Sequence, residues 1–233
     1  MSPGLLGALF GGHGRRRDRA RARAEGSLKD YYAGAWPEPQ TPASELDLLA
    51  IDLETTGLNP VSNQALSVGF VPVDGPDIVL GGARHILIRA DTEVGQSAVL
   101  HHLTDDMIAT GAPMAEVLAE ILAVLRGRVL LAHYATVEVS FLSKACECHF
   151  GAPLVVPTID TLALQRRLLS QGFDDEPLGN DLRLWNARER YGLPTYAAHE
   201  ALTDAMACAE LYLGQVAELS SVKPQTFRSL RVE

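Results

Sequence analysis

The chain has 233 residues, of which 47% are hydrophobic and 21% charged. That is room and material for one well-packed domain plus an appendage. No apolar run reaches the ~20 residues of a membrane helix, and three cysteines are too few and odd in number for a disulfide framework. The net charge of −9 argues at first sight against a nucleic-acid partner. Its distribution reverses that argument: residues 1–33 carry seven basic side chains against three acidic ones, net +4, so the remaining 200 residues sum to −13. An acidic body with a basic arm suits an enzyme that gathers carboxylates around metal ions.

In chain order, residues 1–44 read as a basic extension, rich in Gly, then Arg and Ala, then Pro. Arg15 to Asp30 has helix-forming composition, and the arm is either a solvated tail or a substrate contact. Leu5, Leu6, Leu9 and Phe10 precede the arginines, the reverse of a secretory signal. An Arg-rich start also imitates an organellar transit peptide, and the cytoplasm is the expected compartment. The folded domain is expected over 45–220, with 221–233 as a C-terminal tail.

Leu46 to Leu53 is a short apolar run that reads as a buried central strand. Leu66 to Val73 and His85 to Ile88 follow, separated by Asp74-Gly75-Pro76 and Gly81-Gly82, which predicts an antiparallel meander. Helices are expected over Thr104–Ala109 and Pro113–Leu125, the second with Val117, Leu118, Ile121, Leu122 and Leu125 at helical spacing. Val129–Ala132 and Leu154–Ile159 are strands, each followed by a helix, Val137 to about Cys148 and Thr161–Ser170. Asp174 to Glu176 form an acidic loop, Asn180 caps a helix to Tyr191, and His199–Leu219 is the long final helix. The fold class is therefore α/β: a mixed five-stranded sheet, three antiparallel strands then parallel additions, flanked by helices. Cys146, Cys148 and His149 invite a zinc reading, but they lack a second ligand pair and sit in a helical pattern.

Asp52 and Glu54 interrupt the apolar run of the first strand. Residues i and i+2 of a strand share a face, so two carboxylates are aimed together at its carboxyl edge. Unpaired acids there are costly to bury, and a divalent cation is the usual remedy. Two exposed acids at a strand end would produce the same pattern.

Five motifs in order decide between those readings. Asp52-Leu53-Glu54-Thr55-Thr56-Gly57 resembles the first motif of the DnaQ-like (DEDDh) 3′–5′ exonucleases of the ribonuclease H-like superfamily. Leu100-His101-His102-Leu103-Thr104 resembles that family's H-G-[IL]-T stretch, with His102 where glycine is usual. His133 to Leu142, HYATVEVSFL, is similar to H-N-A-x-F-D-x-x-F-L; Asp160-Thr161-Leu162 resembles the D-T-L after the fifth strand. His199-Glu200-Ala201-Leu202-Thr203-Asp204-Ala205 resembles H-x-A-x-x-D-A. Position 200 is Glu rather than the tyrosine of the DEDDy class, so the histidine class fits.

The resemblance implies a ribonuclease H-like fold and a two-ion site in which Asp52, Glu54 and Asp204 hold one Mg²⁺ and Asp52 with Glu138 a second, Mn²⁺ substituting. His199 would be the general base, and Thr55, Thr56, Gly57, Leu58, His101, Thr104, His133 and Tyr134 would frame the substrate end. The implied partner is the 3′ end of single-stranded nucleic acid, DNA favoured, with no membrane. Glu138 departs from the family's aspartate by one methylene, and Tyr134 and Val137 replace asparagine and phenylalanine. The expected setting is stand-alone repair or processing, because only about 14 residues follow the final helix. The rivals are an epsilon-like proofreading subunit of a DNA polymerase, a catalytically weak nucleic-acid-binding module, and a hydrolase of free nucleotides.

Overall fold

The computed structural model describes residues 6–90, 105–170, 179–197 and 200–232. Strands β1 (Asp47–Thr55), β2 (Ala65–Asp74), β3 (Asp77–Ile78), β4 (Arg84–Leu87), β5 (Val129–Ala132) and β6 (Thr158–Asp160) form one mixed sheet. β2 pairs antiparallel with β1, β3 and β4, while β1–β5 and β5–β6 are parallel. The sheet has six strands rather than five. The addition is β3, a two-residue return after the Asp74–Pro76 turn that pairs with the end of β2, while β4 pairs with its middle. Five positions across the sheet therefore remain. β6 is shorter than the apolar run 154–159, because Pro153 and Pro157 supply no N–H to a ladder.

β1 alternates strictly. Leu49, Ile51 and Leu53 pack beneath α1 (Leu6–Arg23), α2 (Gly26–Tyr32), α4 (Met114–Leu125) and α5 (Thr136–Phe150). Leu48 and Ala50 face the opposite core, built with α6 (Thr161–Leu169), α7 (Leu184–Glu189) and α8 (Ala201–Val222). Both faces are covered, which is why the strand reads as an almost unbroken apolar run. Each fully buried Leu or Ile there contributes about 2 kcal/mol. α3 (Asp105–Ala109) and α9 (Phe227–Leu230) complete the chain. α7 begins four residues after the expected start at Asn180, whose carbonyl instead accepts from Arg183 N at 3.1 Å.

Two expected appendages belong to the folded unit. Ala20, Ala24, Leu28, Tyr31 and Tyr32 are buried in the core under α4 and α5. Tyr32 Oη donates to Pro153 O at 2.8 Å and accepts from Val155 N at 2.9 Å. The domain therefore starts before residue 45, and the basic arm is not a solvated tail over its second half. At the other end α8 continues to Val222, Phe227 and Leu230 are buried, and Val232 N donates to Thr158 O on β6. Among the described residues no helix is long and apolar enough to cross a membrane.

Candidate active site

The even-numbered face of β1 passes from Leu48 and Ala50 to Asp52 and Glu54, so both carboxylates lie on the side covered by α8. A register shift between Glu54 and Thr55 against β2 ends the regular ladder there, as bulges commonly do beside functional sites. α8 delivers Asp204 in its first turn, with Asp204 N donating to Glu200 O at 2.9 Å. Carboxylate oxygens of Asp52, Glu54 and Asp204 all lie within 4.8 Å of one another.

Residues opposite the acids make this approach possible. Asp52 pairs with Gly69 and Glu54 with Ser67 across the ladder. A Cβ on Gly69 would lie 2.0 Å from Leu202 N and 2.1 Å from Ala201 C. The missing side chain is what lets the first turn of α8 rest on the sheet and carry Asp204 to Asp52. Sequence reasoning passed over Gly69; its signal was a glycine inside an otherwise apolar strand, which marks a close backbone approach.

Glu138 lies in the first turn of α5 and is buried, with Oε2 making no hydrogen bond among the described residues. It stands beside the trio rather than within it. The electrostatics bind the four acids together. Burial, then the charges of Glu138, Asp204 and Glu54, hold the Asp52 carboxyl well above the usual carboxylate range. Burial and the Asp204 charge push Glu54 up to about 7. Burial, with lesser contributions from Asp160 and Glu54, pushes Glu138 up to about 8. Glu54 and Glu138 are buried and Asp52 and Asp204 half-buried, and four such groups of one sign, all offering hard oxygen donors, suit a divalent cation. The cysteines are free; Cys146 and Cys208 are buried in the cores, and no cysteine joins a metal-capable cluster among the described residues.

The predicted substrate residues divide. Thr55 Oγ1 donates to Gly57 O at 2.8 Å, and Thr56 is tied to Gln64 by its N–H and its hydroxyl. A Cβ on Gly57 would meet the Asn63 amide at 2.8 Å. This stapled loop presents Leu58, 72% exposed. His133 is turned inward: Nε2 donates to Leu182 O at 2.8 Å, so Nδ1 accepts from Thr161 Oγ1 at 2.9 Å. Burial lowers its pKa and keeps the ring neutral. Both nitrogens are engaged within the protein, and His133 holds the β5–α5 turn rather than reaching outward. Tyr134 is 49% exposed in the left-handed region, φ 69°. That conformation is uncommon for a bulky residue, and Asp160 secures it. Its carboxylate accepts from Tyr134 N (2.9 Å), Ala135 N (3.2 Å) and Leu162 N (2.9 Å). His101, Thr104 and His199, with the acidic loop 174–176, lie outside the described residues.

The exonuclease family model of RNase T matches residues 49–212, from near the start of β1 to the middle of α8. The chain belongs to this exonuclease family. It is 30% identical over 170 residues to the DNA polymerase III subunit epsilon of Treponema pallidum, covering 72% of this chain and 75% of that protein. It is 31% identical over 166 residues to the PolC-type DNA polymerase III of Thermotoga maritima, covering 71% of this chain but 11% of that much longer protein. Among solved structures, E. coli exonuclease I in complex with a dA16 oligonucleotide superposes with a TM-score of 0.66 at 14% identity, over 76% of this chain and 42% of that one. Cell-death related nuclease 4 superposes with a TM-score of 0.62 at 14% identity, over 78% and 66%. The fold is thus the DnaQ-like, ribonuclease H-like one, and the chain is a nuclease-family hydrolase that carries an acidic cluster.

Proposed function

We propose that this protein is a metal-dependent 3′–5′ exonuclease that removes nucleotides from single-stranded ends, DNA favoured over RNA. The observation that carries the reading is the convergence of the Asp52, Glu54 and Asp204 oxygens within 4.8 Å, on a chain of an exonuclease family. In this reading Asp52, Glu54 and Asp204 would hold one Mg²⁺ and Asp52 with Glu138 would hold a second, with Mn²⁺ able to substitute. Such ions, when bound, activate water and offset the charge that develops on the phosphate. His199, two residues before α8 in the sequence and outside the described residues, would serve as the general base for the attacking water. Leu58 and Tyr134 offer apolar surface to the terminal base, and the Thr55–Gly57 backbone approaches its sugar. His133 and Asp160 act by holding the turn on which Tyr134 sits.

A time course on 3′- and 5′-labelled single-stranded DNA and RNA, with Mg²⁺, Mn²⁺ or EDTA, tests every part. The expected products are immediate mononucleotides from the 3′ label and a descending ladder from the 5′ label, both lost in EDTA. A strand that is bound but never shortened would instead identify a binding module.

A second setting rests on its own observation, the identity with the Treponema pallidum epsilon subunit over three quarters of that protein. In that setting the same chemistry serves as the proofreading activity of a replicative polymerase. Adding the polymerase subunit of the same cell should then speed removal of mispaired ends at least about tenfold, whereas a stand-alone enzyme is indifferent to it.

A further inference from the structure

A second concave region lies on the side of α5 turned away from Glu138, and none of the groups above uses it. It is a cavity of about 760 Å³ whose wall includes Arg16 of α1, Trp36 of the link between α2 and β1, Ser140 and Ser143 of α5, and Arg231 just after α9. Asp160 also reaches it, but that carboxylate already accepts three backbone N–H groups. Two arginines meeting at one cavity reverse the sign of a chain whose net charge is −9. Trp36 is held in place: the Arg17 guanidinium lies 4.7 Å from the ring centroid and itself donates to Gly34 O at 2.7 Å and Tyr32 O at 3.3 Å. A fixed indole, two guanidinium groups and several hydroxyls complement a nucleotide: a base stacks on the ring and phosphates meet the arginines.

Position distinguishes a nucleotide within a strand from a free one. Asp160, which lines the cavity, also fixes the Tyr134 and Ala135 amides at the entry to α5, and Glu138 follows within one helical turn, about 5 Å along the axis. The cavity and the carboxylate cluster thus flank the same helix start. Its basic groups come from two segments, α1 and the residues after α9, that line one cavity. We propose that this cavity is the upstream track of the nucleic-acid site, taking nucleotides 5′ of the cleaved end with a base on Trp36 and phosphates at Arg16 and Arg231. The inference rests on the exonuclease reading of the neighbouring site. It gives the N-terminal helices a part in substrate binding and makes affinity depend on strand length.

The test uses the full chain with Trp185→Phe, which leaves Trp36 as the sole tryptophan. Its emission is followed in EDTA during titration with a ten-nucleotide thymidine strand or with thymidine monophosphate. The strand should quench Trp36, and the monophosphate at equal nucleotide concentration should not. Arg16 is exposed, so Arg16→Ala should fold normally; it should weaken half-saturation by the strand about tenfold and reduce the log–log salt slope by about 0.7. With Mg²⁺, the same variant should raise KM for the strand more than it lowers kcat. Trp36 emission unmoved by a strand that the wild type still degrades would overturn the inference and leave the exonuclease reading standing. Equal quenching by strand and monophosphate would overturn it in favour of a free-nucleotide site. A wild type that degrades no strand with any metal ion breaks the exonuclease reading instead, and the proposed track falls with it.

Discussion

Two clusters of buried charge sit at opposite ends of the first half of α8, and the protein treats them in opposite ways. Arg188 of α7 is 1% exposed, and both terminal nitrogens of its guanidinium are hydrogen-bonded. Its guanidinium donates to Ala207 O (2.6 Å), Pro194 O (2.8 Å) and Glu210 Oε2 (2.7 Å), and it lies within 5.4 Å and 5.1 Å of the Trp185 and Tyr196 ring centroids. Tyr196 Oη closes the ring by donating to Glu210 Oε1 at 2.9 Å. One turn and a half earlier on the same helix, Asp204 joins Asp52, Glu54 and Glu138, where burial and neighbouring acids raise the pKa of Asp52, Glu54 and Glu138. The first cluster pairs its charges within the chain and fastens the segment leading to α8. The second gathers like charges whose oxygens converge, a donor set that suits a cation. Opposite charges paired in a core are architecture; like charges gathered in one are an invitation to a ligand.

The largest effect should come from removing a member of the like-charged set. Asp52→Ala or Asp204→Ala should bring strand hydrolysis below detection, while the metal-free protein melts at a higher temperature because a repelling carboxylate has gone. Normal turnover in either purified variant breaks the contrast. Next, Gly69→Ala places a methyl where α8 touches β2. Displacing Asp204 by about 1 Å should lower kcat/KM up to about 100-fold and raise the Mg²⁺ concentration needed for half-maximal activity. An unchanged Mg²⁺ requirement would show that the helix start is not what sets the site.

The paired cluster should respond in the other sense. Arg188→Met leaves Glu210 half-desolvated without its partner and should lower unfolding stability in urea by about 3 kcal/mol. Arg188→Met with Glu210→Leu should recover part of that loss; a simple sum of two losses would deny the pairing. The acids can also be weighed by pH. Glu54 and Glu138, raised to about 7 and about 8, keep protons in the native chain that the unfolded chain has already released. Their contribution is full below about 4.5 and is lost as pH rises through 7 to 8. His133, with a lowered pKa, works oppositely below about 6.5, so the fall shows most clearly from pH 6.5 to 8.5. Urea midpoints in EDTA should decrease over that window, and saturating Mg²⁺ should flatten the curve. Smallest, Glu138→Asp should keep activity within about tenfold, since the charge stays near the ion. Glu138→Gln should first raise the half-saturating Mg²⁺ concentration, because it deletes the charge that offsets a divalent ion. Identical Mg²⁺ dependence in all three proteins retires Glu138 from the site.

Much of this architecture was written in local pattern. The i, i+2 acids closing an apolar run pointed to the carboxylate cluster that Asp204 joins, and the order of motifs pointed to the fold. What escaped were features that depend on a distant segment. Gly69 is meaningful only against the backbone of residues 201–202, some 130 positions away. Ser67, wholly buried opposite Glu54, is equally silent in sequence. The basic arm misled through composition: six arginines and the surrounding glycines outweighed Ala20, Ala24, Leu28, Tyr31 and Tyr32, which in fact fall at helical spacing. Periodicity carried the packing information there, and overall polarity did not. The third β-return, β3, is only two residues long, too short for any alternation to show.

The last residues of the chain have a consequence for how molecules of this protein meet one another. β6 is the outer parallel strand, and an unguarded strand of that kind is a template for pairing with another copy. The Arg231 bridge to Ile159 and the Val232 amide on Thr158 O occupy that template from within the same chain. The segment 231–232 thus covers the outer edge of the sheet at Thr158 and Ile159, so that stretch of ladder is already taken when two molecules meet.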